Sequence, residues 1–166
     1  MGDAIEKARA ARNVLERLGK RIPVMAGYLD RELGRELDQL VRSHLANSLD
    51  GARVGVTAYT RTLQLSAEGR IERLARIEKE LDAFANALRH AGSGYAGLFD
   101  AMKVGQDQIE RLYNLDLLLV EAVEAVADAS EHLAEGDDGV DRLEKAVEQA
   151  RGRFANRDGA VRSVLA

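Results

Sequence analysis

The chain is poor in several residue types, and each shortage excludes a class of structure or site. Its 166 residues include no cysteine, no tryptophan and a single proline, Pro23, and only 4% of them are aromatic. Without cysteine there is no disulfide, no thiolate metal ligand and no cysteine nucleophile. A sequence with so little proline and so much alanine, leucine, glutamate and arginine is typical of helices throughout.

Long uncharged apolar runs are also missing. No stretch approaches the roughly 18 to 20 consecutive apolar residues of a membrane-spanning helix, and the N-terminus lacks the apolar core of a signal peptide. We therefore expect a soluble protein in the cytoplasm. With 166 residues, 46% of them apolar, the chain is long enough for one domain with its own core and too short for two.

The most informative feature that is present is a heptad pattern in the second half of the chain. Apolar or small side chains recur every three or four residues, as in a long helix buried along one edge. The seam positions are Tyr95, Leu98, Met102, Gly105, Ile109, Leu112, Asp116, Leu119, Val123, Val126, Ser130 and Leu133. A helix of about 40 residues would be roughly 60 Å long, twice the diameter of a small domain. The pattern therefore predicts an elongated body.

Similar patterns predict helices in the rest of the chain. Residues 1–22 form a basic amphipathic helix that ends at Pro23, residues 24–135 form the body, and residues 138–165 form a C-terminal helix. The predicted fold class is all-α: an elongated antiparallel helical bundle or coiled-coil hairpin of about five helical segments. All of it belongs to a single domain, 1–166.

Two connections within the body are predicted from turn and breaker residues, and one segment is ambiguous. Asp50-Gly51 indicates a turn, and Gly92-Ser93-Gly94 indicates a tight link that makes the third and fourth helices an antiparallel hairpin. Residues 53–65 contain several β-branched side chains that would suit a strand. A lone strand has no partner here, so the segment is interpreted as helix.

No catalytic or cofactor site can be recognised. A di-metal site in a helical bundle needs a Glu-x-x-His pair on each of two helices, and none of the three histidines has glutamate three residues before it. Asp128 and His132 could share a metal with Glu124 or Glu135, but these residues lie off the apolar seam. Phosphate-binding glycine loops and a serine nucleophile with its base are not indicated either. We expect no enzyme activity, no metal and no cofactor.

Asp116 is the one charged residue on the long seam, where an unpaired buried carboxylate would cost several kcal/mol. Arg70 interrupts the seam of the third helix and is the expected partner. Register control or a functional role is the alternative. If Asp116 is poorly paired, its replacement by leucine should raise stability by about 1 kcal/mol or more.

Charge is distributed unevenly along the chain. Residues 105–139 contain ten acidic side chains against Arg111 alone, a net charge of −9, whereas residues 1–23 contain six basic and three acidic groups, a net charge of +3. The acidic balance argues against nucleic acid as a partner. The first helix could contact an anionic membrane only weakly, because its apolar face is mostly alanine.

The terminal helices carry apolar seams that need cover. Together with the charge contrast, these seams predict a homo-oligomer, most simply a dimer, or an unidentified protein partner. The candidate interaction residues are Leu15, Leu18, Ile22, Val140, Leu143, Val147 and Phe154.

Two stretches resemble a family of uncharacterised bacterial all-helical proteins. The first is Ile22-Pro23 with Gly27-Tyr28, Arg31-Glu32, Arg35-Glu36, Asp38, Arg42 and His44-Leu45-Ala46; the second runs from Ser93 to Val104 and on through Ile109-Glu110-Arg111-Leu112-Tyr113 to Asp116-Leu117. The resemblance implies a helical, bacterial, cytoplasmic protein and adds nothing about its function.

Two functions from different classes follow as expectations. The first is a non-enzymatic helical scaffold or adaptor that acts through protein-protein association. The alternative is a peripheral membrane or stress-associated coiled-coil protein that contacts anionic membrane through its N-terminal helix.

Overall fold

The structure is a computed structural model that describes residues 2–23, 25, 34–91 and 105–165. These residues form five α-helices and no strands, so the all-α class is confirmed. The helices are α1 (Gly2–Arg21), α2 (Gly34–Thr60), α3 (Glu68–His90), α4 (Gln106–Glu131) and α5 (Asp137–Leu165), with short 3₁₀ turns at Leu65–Ala67 and Leu133–Glu135.

The helices share one apolar core. Helix α2 packs on α3 and α4, α5 packs on α4 and α3, and α1 packs on α4. The largest fully buried side chains come from every helix and adjoining segment: Leu18, Ile22, Met25, Leu45, Leu49, Leu74, Leu81, Leu88, Leu119, Leu133 and Leu143. Because each helix buries one edge, amphipathic periodicity rather than intrinsic propensity explains most of the helical structure.

The residues that meet across each interface give the helix directions. Arg42 of α2 contacts Leu88 of α3, and Thr57 contacts Glu78, so α2 and α3 run in opposite directions. Helices α2 and α4 run in the same direction. Arg157 contacts Asp38 of α2 and Asp116 of α4, and further along both helices Gly55 approaches Ser130.

The turn predicted at Asp50-Gly51 is wrong, because α2 continues through it to Thr60. Leu49, Ala52 and Val56 extend the buried edge of α2 at helical spacing. Their burial outweighs the cost of about 1 kcal/mol that a glycine imposes on a helix interior. The helix predicted for residues 53–65 is confirmed as far as Thr60, whose hydroxyl donates to the carbonyl of Val56 at 2.8 Å.

The unbroken helix from Tyr95 to Leu133 is also wrong. Gly105 is extended, with φ −70° and ψ 155°, and α4 begins only at Gln106 and ends at Glu131. Residues 95–104 and the Gly92-Ser93-Gly94 link lie outside the described residues. In the described ranges α3 packs on α2 and α5 and has no comparable interface with α4, so the predicted hairpin of the third and fourth helices is not seen there.

Gly139 lies where the chain passes from α4 to α5. A Cβ atom at this position would be 2.5 Å from the backbone oxygen of His132 and 3.2 Å from the Cα atom of Leu133. Both atoms belong to the backbone and cannot move aside without shifting the whole connection. Only a residue without a side chain fits this approach.

We predict that Gly139→Ala destabilises the protein by about 1–3 kcal/mol, because the added methyl group overpacks the connection. Gly51→Ala is the matched control. It places its methyl group in a helix interior with no atom within 4 Å, and should stabilise by about 0.5–1 kcal/mol. Urea unfolding of both variants provides the comparison, and equal midpoints would contradict the close approach.

Candidate functional site, a buried network of charged side chains

Asp116 lies in the interior, where it meets a guanidinium group. Its side chain is 5% exposed, and its Oδ1 atom accepts a hydrogen bond from Nε of Arg157 on α5. The Nη2 atom of Arg157 donates to Oδ1 of Asp38 on α2. Arg157 is itself 3% exposed, so one buried cation connects the carboxylates of two other helices. Such charge-assisted hydrogen bonds are stronger than neutral ones.

Arg42 extends this network to a fourth helix. Its Nε atom donates to Oδ2 of Asp38 at 2.8 Å, one helical turn away on α2. Its Nη1 atom donates to the carbonyl oxygens of Leu88 at 3.0 Å and Arg89 at 3.3 Å. The last carbonyl groups of a helix have no partner within it, so Arg42 satisfies groups that the end of α3 leaves open.

The four side chains balance formally, with two carboxylates and two guanidinium groups, and we call them the charge network. Burial raises the pKa of Asp116, and the charge and hydrogen bond of Arg157 act in the opposite direction. Burial lowers the pKa of Arg157. The negative charges of Asp116 and Asp38, and the hydrogen bonds to them, raise it by more, so the pKa of Arg157 lies above its ordinary value. Burial and the nearby charge of Asp116 also raise the pKa of Tyr113. Both carboxylates accept hydrogen bonds from guanidinium groups.

The pairing of Asp116 with Arg70 is a wrong prediction. Arg70 lies near the start of α3, and its Nε atom donates to Oδ1 of Asp137 at 2.8 Å, at the start of α5. The pair is largely exposed. Its hydrogen bond lowers the pKa of Asp137 and raises that of Arg70. A gain in stability is expected from Asp116→Leu only if Asp116 is poorly paired, and since Asp116 has a buried partner we expect a loss instead.

The apolar residues proposed as an interaction surface lie in the core of the chain. Leu18 and Ile22 of the N-terminal segment are buried, as are Val140, Leu143 and Val147 of α5. Leu15 and Phe154 are half-buried against the same core, and the ring centroids of Phe154 and Phe84 are 5.6 Å apart. These seven residues are thus covered within the chain.

Sequence reasoning missed Arg157, Asp38 and Arg42 as members of the site. Arg157 gives a signal, since it is the one break in the apolar pattern of α5. Asp38 and Arg42 are separated by four residues, a spacing that is more often an exposed helical ion pair than a buried one. Neither sequence feature shows which helix packs against these residues.

Other polar groups do not form a second site in the described ranges. His132 is exposed, and its Nδ1 atom lies 2.7 Å from the carbonyl oxygen of Asp128. No group of three or more metal-ligating side chains is found in these ranges. None of the described helices combines the length and apolarity needed to cross a bilayer.

We predict that Asp116→Leu lowers the free energy of unfolding by about 3–5 kcal/mol, because it leaves the buried charges unbalanced. Arg157→Leu should be similarly damaging, since two carboxylates would then face Arg42 alone. The double variant keeps the neutral Asp38–Arg42 pair. It should therefore lose at least about 2 kcal/mol less than the sum of the single losses.

Urea denaturation of the four proteins in this double-mutant cycle measures the coupling. Asp128→Leu is a suitable control, because Asp128 is an exposed carboxylate on the same helix and should have little effect. Additive losses from Asp116→Leu and Arg157→Leu would contradict the network.

The Arg70–Asp137 pair makes a prediction about pH. In Arg70→Gln the pKa of Asp137 should return toward its ordinary value of about 3.9. Because the folded pKa is lowered, the pair contributes stability above the unfolded pKa, and that contribution is lost as pH falls through the folded pKa. NMR titration of Asp137 in both proteins measures the shift. Identical titration curves would show that Arg70 does not hold this carboxylate.

Comparison with known proteins assigns no function to this arrangement. No protein-family model, curated protein or solved structure matches the chain. The resemblance to uncharacterised bacterial helical proteins stays a prediction. Its first stretch contributes Asp38 and Arg42 and its second contributes Asp116, so the charge network joins side chains from both.

Proposed function

We propose that this chain is a non-enzymatic helical association module that pairs with a second copy by exchanging α1. The observation that carries the proposal is the position of α1. Among the described helices it packs on α4 and has no comparable interface with α2, α3 or α5. A helix attached through one interface can leave its own chain and occupy the same site on a copy, which is the usual route to domain-swapped dimers.

The contact between α1 and α4 has an apolar part and a charged part. Val14, Leu18 and Ile22 are buried along α1 and the turn that follows it. At the end of the helix, Arg21 forms an ion pair with Glu124 and lies 3.3 Å from Glu121. Both carboxylates belong to the most acidic segment of the chain. Apolar burial supplies affinity, and the charges supply orientation and partner choice.

The shape of the module is part of the same proposal. Helices of 23 to 29 residues would be roughly 35–44 Å long, against about 30 Å for the diameter of a small domain. An elongated, partly antiparallel bundle with coiled-coil-like packing fits these lengths. A long body with α1 along one side gives a copy an extended face on which to dock.

Charge-swapped variants test exchange directly. Arg21→Glu reverses the charge on α1, and the double variant Glu121→Arg/Glu124→Arg reverses it on α4. In either variant alone, like charges on α1 and α4 face each other. In an exchanged heterodimer both interfaces contain opposite charges, because each α1 then meets the α4 of the other variant.

We predict that mixing these two variants at low salt yields a heterodimer, favoured by roughly 1–2 kcal/mol, or about tenfold, over either homodimer. Native mass spectrometry with one isotope-labelled partner distinguishes the species. Raising the ionic strength should reduce the preference, because it shortens the Debye length. Arg12→Glu is the control, since Arg12 is exposed and pairs with Glu16 of its own helix.

Monomers in every mixture and at every accessible concentration, with α1 protected from hydrogen exchange, would contradict exchange. Sedimentation of the full chain with anionic vesicles, lost on removal of residues 1–22, would instead favour the membrane alternative.

A further inference from the structure

Burial changes sharply along α5. In its first half Val140, Leu143, Val147 and Ala150 are all buried in the core. Phe154 is half-buried against Phe84 and is the last large apolar contact of this half. From residue 155 to residue 163 only Arg157 and Val161 are buried. Within residues 155–163 the buried side chains are therefore one charged and one apolar.

The backbone of the second half is also intrinsically weak. Gly159 lies inside the helix, and a Cβ atom built on it would have no atom within 4 Å. Close packing at this position therefore does not require glycine. A glycine in a helix interior shifts the local balance away from the helix by roughly fivefold relative to alanine.

A contact between charged side chains and a contact between apolar ones have different costs when they are broken. If the second half of α5 moves away, Arg157, Asp38 and Asp116 all become exposed to water together. Their hydration then offsets much of the lost ion pairing, because buried charges recover the desolvation penalty that they paid. Separation of the first half has no such compensation, since it would expose Leu143 and Val147 to water.

We propose that residues 155–165 form a latch that opens and closes as a unit, fastened by Arg157, while residues 137–154 stay packed. Opening removes Arg157 from the carboxylates of Asp38, near the beginning of α2, and Asp116, in the first half of α4. The charge network thus holds residues 155–165 against α2 and α4 in the closed state, and it is the contact that breaks when these residues open.

Hydrogen exchange of the full chain, followed by NMR at single amides, tests the latch. In the unaltered protein the amides of residues 159–163 should exchange at one common rate, at least about tenfold faster than those of residues 143–150. Arg157→Leu should accelerate residues 159–163 by a further tenfold or more, and residues 143–150 by no more than its loss of global stability in urea accounts for. Arg153→Leu is the matched control, because Arg153 is exposed on the same helix, and it should change neither group.

Gly159→Ala keeps the test decisive if Arg157→Leu does not fold. This substitution strengthens the helix without touching the network, so it should slow exchange of residues 159–163 about fivefold. Rates that rise gradually toward the C-terminus and do not depend on Arg157 or Gly159 would mean ordinary fraying and would overturn the latch. Equal protection of residues 143–150 and 159–163 would overturn it as well.

Discussion

Charges buried in a protein interior must be paired, and this requirement fixes how four of the five described helices meet. Arg157 cannot lose either carboxylate without leaving an unbalanced charge in a medium that solvates it poorly. Asp38 near the beginning of α2 and Asp116 in the first half of α4 therefore hold these helices against the second half of α5. Arg42 adds the end of α3 through two backbone carbonyl groups.

Apolar burial and the charge network have different roles. The core residues supply the bulk of the stability, but leucine and alanine faces tolerate small changes of register. A bidentate contact between one guanidinium group and two carboxylates tolerates much less, because its hydrogen bonds depend on distance and angle. We infer that the network selects one arrangement of helices whose apolar faces alone would permit several, as single polar core residues do in coiled coils.

Sequence periodicity was sufficient for the all-α class and for most helices, because each buried edge repeats at helical spacing. It was insufficient at Asp50-Gly51 and at Gly105. Burial of one edge keeps α2 helical through Gly51, and the extended backbone of Gly105 interrupts the helix predicted along the long seam. The partner of Asp116 could not be chosen either. Arg70 and Arg157 both interrupt apolar seams, and only tertiary structure shows that α5, not α3, lies against α4.

The central claim is that Arg157 is held in the interior by two carboxylates. The most direct measurement is the NMR signal of its side-chain Nε–H group, compared with that of Arg153, which is exposed on the same helix. The account predicts a dispersed Arg157 signal that exchanges with water at least about a hundredfold more slowly than that of Arg153. It also predicts that the Arg157 signal shifts on Asp116→Asn. Coincident signals with equal exchange rates would contradict the network.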